Sequence, residues 1–195
     1  YNLAENPEKA LEYCKEAEIF APDEKQIDHI SLQKALAYYM SGQRTKALDI
    51  VHALKKEKKE DWFRAIVFHL LAQYSLVTGH FKNAENYEIK ALKCVTRMKE
   101  KIIKDSLVSP LGVLLRWWNP DRINWLEGLI KLTCTRRHCY MGYEFTVELA
   151  EVTANQFELT GNIAQRSQVR VELGRFLSNS GDFDKAITIL KREHQ

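Results

Sequence analysis

Nothing in this chain reads as a β-strand. β-branched residues fall at helical spacing, and alternating runs bounded by turns are missing. No stretch approaches the about 18 apolar residues that a membrane crossing needs, and no signal peptide is visible. Proline is scarce: Pro7, Pro22, Pro110 and Pro120 are the four in 195 residues, and each can sit at a helix edge. Cys14, Cys94, Cys134 and Cys139 are the four cysteines. They lie inside helical patterns and not in short loops, which excludes a disulfide framework and points to a reducing compartment, so a cytoplasmic location is expected. An excess of one charge is also missing. With 29 basic and 26 acidic residues the net charge is +3, too mild to demand a polyanionic partner.

The chemical motifs are missing as well. There is no G-x-x-x-x-G-K-[ST] phosphate loop, no G-x-G-x-x-G, no G-x-S-x-G and no H-E-x-x-H. Cys134, His138 and Cys139 come nearest to a metal constellation. On one helix positions 134 and 138 share a face, but 139 is turned about 100° away from 138, and no second Cys/His pair follows to complete a tetrahedral site. His29, His69 and His138 have no neighbouring acid in sequence to orient an imidazole as a base. No catalytic residue, metal or cofactor is expected.

What the chain does have is periodicity. A glycine, a short polar step and an alanine opening an amphipathic run recur at Gly42–Ala47, Gly79–Ala84 and Gly181–Ala186. Ala10, Ala47 and Ala84 stand 37 residues apart, and Ala186 follows 102 residues later, three periods of 34. A fixed period in the thirties marks stacked helix pairs that bury their apolar faces against their neighbours. Asn6-Pro7, Ser109-Pro110 and Asn119-Pro120 read as N-caps followed by proline at the first helical position. Gly42, Gly79, Gly161 and Gly181 follow long periodic runs, where helices end in a left-handed residue. Helices are expected over 7–20, 24–40, 44–58, 61–78, 82–104, 110–118, 120–136, 139–160, 163–179 and 183–194. Regularity is lowest between Asp105 and Tyr143. The chain is one domain over 1–195. It opens within a repeat and closes on a helix, so a piece of a longer protein is expected.

The unit resembles the tetratricopeptide repeat. Ala10, Cys14, Ala17 and Pro22 fall at conserved places of its second helix. Ala35, Tyr38, Gly42 and Ala47 match in the next unit, and Phe68, Leu71, Ala72, Gly79, Phe81, Ala84 and Ala91 match in the third. Leu173, Gly174, Gly181, Phe183 and Ala186 match in the last. The resemblance covers about two thirds of the chain and departs from the pattern over 105–160. It implies an all-α, right-handed solenoid of helical hairpins, irregular in the middle, with the first helix of each pair lining a concave groove.

Carried onto the matching positions, that groove would use His29, Tyr39 and Met40 in one unit, His69 and Gln73 in the next, and Arg175 and Asn179 in the last. Leu32, Leu36 and His69 stand where a clamp for a chaperone's carboxylate tail needs cations and amides, so that specialised role is not expected. Leu107–Trp118 is apolar all round and bounded by prolines. It is either a buried plug or a contact surface anchored by Trp117 and Trp118. The expected helix over 82–104 carries Lys90, Lys93, Arg97, Lys99, Lys101 and Lys104. Taken together these six are not confined to one stripe, so nucleic acid is not an expected partner, and neither is a membrane. The function that follows is a scaffold binding a peptide or helix of a partner protein. The alternative is a regulatory domain of a transcription activator or signalling protein that senses a small ligand or signal peptide.

Overall fold

The computed structural model describes residues 6–21, 23–55, 60–106 and 120–191, and every regular element among them is an α-helix. In chain order these are α1 (Pro7–Phe20), α2 (Glu24–Met40), α3 (Arg44–Leu54), α4 (Asp61–Val77), α5 (Phe81–Ser106), α6 (Pro120–Met141), α7 (Thr146–Leu159), α8 (Ile163–Asn179) and α9 (Phe183–Lys191). The protein is all-α over the described residues. None of these helices is long and apolar enough to cross a membrane. The helix expected over 110–118, with Trp117 and Trp118, lies outside the described residues.

Local chemistry explains where the helices start and stop. The Asn6 side chain accepts a hydrogen bond from the Lys9 amide at 3.0 Å, with Pro7 at the first helical position. Asp23 does the same for the Gln26 amide at 2.8 Å. Each satisfies a donor that the helix itself leaves unpaired. At the other ends, Gly42 and Gly79 adopt φ of 78° and 75°, a region a side chain disfavours. Gly42 N–H donates to the Tyr39 carbonyl and Gln43 N–H to the Tyr38 carbonyl. Gly79 and His80 repeat the pattern on Leu76 and Ser75, and Gly161 and Gly181 close α7 and α8 in the same way. These paired bonds are the Schellman closure, and all four were expected from the glycine positions.

Two boundaries differ: α3 ends at Leu54, short of the expected 58, and the end of α6 moves. The sequence suggests a break near 137–138, yet α6 runs on to Met141. The left-handed residue that ends it is Gly142, at φ 66°. With no such residue at 137 or 138, the helix has no reason to stop there. Arg136 and Arg137 therefore lie inside the helix and not in a solvated final turn.

Each helix packs on its neighbours in sequence, and α6 also packs on α4 and on α8. The recurring alanines Ala10, Ala47, Ala84 and Ala186 are all buried. Seven residues before their turn glycines stand Ala35, Ala72 and Gly174, also buried. A Cβ on Gly174 would lie 2.9 Å from the Leu190 side chain, and one on Gly128 would lie 2.7 Å from the Phe157 ring. Small residues at these places let paired helices approach closely. The apolar core falls into two clusters. One gathers Leu32, Phe63, Leu71, Val95 and Leu126 around α2–α6, and the other gathers Leu132, Phe157, Val169 and Leu173 around α6–α9. Helix α6 contributes to both, and Trp125 packs against both.

Candidate functional site

Alternate helices meet along one side of the molecule. From α2, His29 packs edge-on against Trp62 of α4, with ring centroids 4.8 Å apart. Further along α4, His69 and Gln73 sit one turn apart, with His69 Nε2 3.1 Å from Gln73 Nε2. His69 also lies in the field of Arg136 on α6. Arg136 Nε stands 3.3 Å from Glu172 Oε1 on α8, and Glu172 Oε2 stands 3.5 Å from Arg175. One polar strip thus links α4, α6 and α8, while on α2 His29 meets Trp62, two turns before His69 on α4.

Of the residues singled out from sequence, the strip joins His69, Gln73 and Arg175 directly. His69 is buried, Gln73 is half-buried, and Arg175 is exposed. Because side chains on a helix share a face at spacings of three, four, seven and eleven, Met40 lies on the His29 side of α2. Asn179 lies on the Arg175 side of α8 for the same reason. Both are exposed. Tyr39 is half-buried and about 80° round the helix from His29. Trp117 and Trp118 lie outside the described residues.

His69 is neutral at pH 7. Burial, followed by the nearby Arg136 charge, holds its pKa down at about 4. With Gln73 donating to Nε2, the ring proton rests on Nδ1, a buried atom without a hydrogen-bond partner. Glu172 is a single carboxylate facing two guanidiniums, so the α6–α8 part of the strip carries net positive charge.

A second polar group lies between α5 and α6. Arg137 Nε donates to Glu88 Oε2 at 2.9 Å, with both side chains almost wholly buried, and Glu85 lies 3.7 Å from the same guanidinium. Burial pushes the Glu88 carboxyl up, and Arg137 pulls it back only in part. The Cys134 thiol lies beside Glu88. Burial and then that carboxylate push its pKa well above the usual thiol range, so it is no nucleophile. His138 packs edge-on against Tyr143 at 4.8 Å, and the Cys139 thiol points to the Glu172 carbonyl at 3.8 Å. Cys134, His138 and Cys139 thus go to three different neighbours.

Sequence reasoning missed Arg136, Glu172, Trp62 and the Glu88–Arg137 pair. Arg136 and Arg137 fall at the end of the helix expected over 120–136, so nothing in the pattern marked them as interior residues. A cleft of about 440 Å³ between α5, α6 and α7 is lined by Lys99, Asn124, Glu127 and Gln156 among others. Its polar groups satisfy one another: Lys99 and Gln156 both bond to Glu127, at 2.5 Å and 3.0 Å. None of the residues expected to bind a partner lines it.

In comparisons with known proteins, no family model, no curated protein and no solved structure matches this chain.

Proposed function

We propose that the chain is a protein-interaction module, a right-handed array of helical hairpins resembling tetratricopeptide repeats. It binds a peptide or helix of a partner along the face shared by α2, α4, α6 and α8. The observation that carries this reading is the strip running through Gln73, His69, Arg136, Glu172 and Arg175. Stacked hairpins align the first helices of successive pairs, and polar side chains of alternate helices gathered on one side are what such alignment produces. The face offers a thioether at Met40, an amide at Gln73 and guanidiniums at Arg136 and Arg175. Soft and apolar groups contribute desolvation, while the amide and charged groups set register.

Panning a displayed peptide library against the protein tests this. Enriched peptides should lose at least tenfold in affinity to the Met40→Ala/Arg175→Ala variant while its unfolding midpoint stays put. Peptides that bind that variant as well as the parent overturn the groove reading. If Trp117→Ala/Trp118→Ala alone abolishes their binding, the contact belongs to that segment instead.

A further inference from the structure

Helix α5 carries a row of cations on its outer side. At about 100° per residue, Lys90, Lys93, Arg97, Lys101 and Lys104 fall within about 80° of one another and span about 21 Å along the axis. All five are exposed. Lys99 lies on the opposite side of the helix, where it bonds to Glu127 of α6 at 2.5 Å. Including Lys99 with the others is what made the sequence look scattered. Once it is assigned to the α5–α6 interface, the remaining five form a single stripe.

The surroundings reduce the stripe's charge but leave it net positive. Lys55, at the end of α3, donates to the Tyr87 hydroxyl at 3.1 Å, and Lys90 lies over the same Tyr87 ring at 5.8 Å, so a sixth cation joins one end. Against these stand Asp61, which accepts from Arg97 Nη2 at 2.6 Å, and Glu100 at the edge. Glu85 and Glu88 of the same helix are turned toward Arg137. Among the described residues, Lys90, Lys93, Lys101 and Lys104 have no carboxylate partner.

We propose that this stripe binds the sugar–phosphate backbone of a nucleic acid without reading its sequence. Cations 4.5–6 Å apart, a spacing set by about 1.5 Å of helical rise per residue, suit a linear array of phosphates. The rings beside the row, Tyr87 and Phe68, are covered by Lys55, Lys90 and Arg64 and are not open to stack on bases, so the contact is electrostatic. A membrane surface fits less well. A helix lying on a bilayer needs a free apolar face beside its basic one, whereas the apolar face of α5 (Ala84, Ala91, Cys94, Val95 and Met98) is buried in the core.

Fluorescence anisotropy with a labelled 20-base-pair DNA duplex of mixed sequence tests the proposal, at salt from about 50 to 200 mM. Binding should weaken with a log–log salt slope of about −4, for about four phosphates neutralised, and a second, unrelated duplex should bind equally. Lys93→Gln/Lys101→Gln should weaken binding at least tenfold and flatten the slope by about 2. Both lysines are exposed, so an unchanged unfolding midpoint serves as the fold check. Lys15→Gln, exposed on α1 and outside both faces, should leave duplex binding unchanged. No binding at 50 mM salt, or a double variant that binds like the parent, overturns the proposal. Vesicles rich in phosphatidylserine, or polyglutamate, binding at least as tightly as the duplex would overturn it too.

Discussion

The α4–α5 and α6–α7 hairpins both turn at a left-handed glycine, Gly79 and Gly142, yet they are held by different chemistry. Helix α4 buries Phe63, Ala65, Val67, Phe68, Leu70, Leu71 and Ala72, with His69 the one charge-capable side chain among its buried residues. Helix α6 buries Thr133, Cys134, Thr135 and Arg137. Its threonines satisfy themselves locally. Thr135 donates to the Lys131 carbonyl at 2.9 Å, and the facing Thr153 donates to Leu149 at 2.7 Å. Arg137 instead needs Glu88, 49 residues away in sequence. An apolar contact tolerates any neighbour of the right size. A buried cation tolerates only a partner of opposite charge at hydrogen-bond distance.

The largest expected effect comes from breaking that pair. Arg137→Ala leaves Glu88 buried and uncompensated, and should cost about 3–5 kcal/mol in urea unfolding. Replacing both partners, Glu88→Leu with Arg137→Met, should restore most or all of that stability. A double variant as damaged as the single one would show that the cost comes from lost packing and not from an orphaned charge.

Acid provides the next probe, because it strikes the one charge-capable side chain among the buried residues of α4. The folded pKa of His69 is about 4, against 6.5 for an unperturbed histidine. Between those values the unfolded chain holds a proton that the folded chain lacks, so stability falls as pH falls from 6.5 to 4 and is fully present above 6.5. The size is about 3 kcal/mol. His69→Gln should remove this dependence. The stability difference between parent and variant should shift by that amount between pH 7 and pH 4, and a constant difference would mean that His69 titrates normally.

Overpacking compares the two hairpins directly. Ala84→Leu in the apolar hairpin and Gly128→Ala against Phe157 should each cost about 1–3 kcal/mol. The first inserts three carbons at a fully buried alanine, and the second places one carbon 2.7 Å from a ring. Denaturant midpoints unchanged at both sites would place the close contacts elsewhere. The smallest effect is expected at Arg175, which is exposed and pairs with Glu172. Arg175→Ala should leave stability within about 0.5 kcal/mol, so any larger loss of midpoint would make it part of the fold and not of the binding face.

Much of this fold was legible in the sequence because its signals are local. Asn6-Pro7 starts a helix by hydrogen bonds made within three residues, and Gly42, Gly79, Gly161 and Gly181 end helices by bonds made within five. Gly142 was overlooked, and with it the true end of α6. The candidate site was less legible. His69, Gln73 and Arg175 were singled out by the repeat resemblance, but Arg136, which stands between them, lies where the repeat pattern fades.

The sequence by itself determined the helical class, the period and most helix ends, since each follows from hydrogen bonds and side-chain sterics over a few residues. Only the tertiary structure decided that Lys99 leaves the α5 stripe for Glu127, that Arg137 lies buried on Glu88, and that alternate helices share one polar strip. Those outcomes depend on which charges meet after helices far apart in the chain have packed. A charge's partner is set by distance in space, which local sequence pattern does not encode.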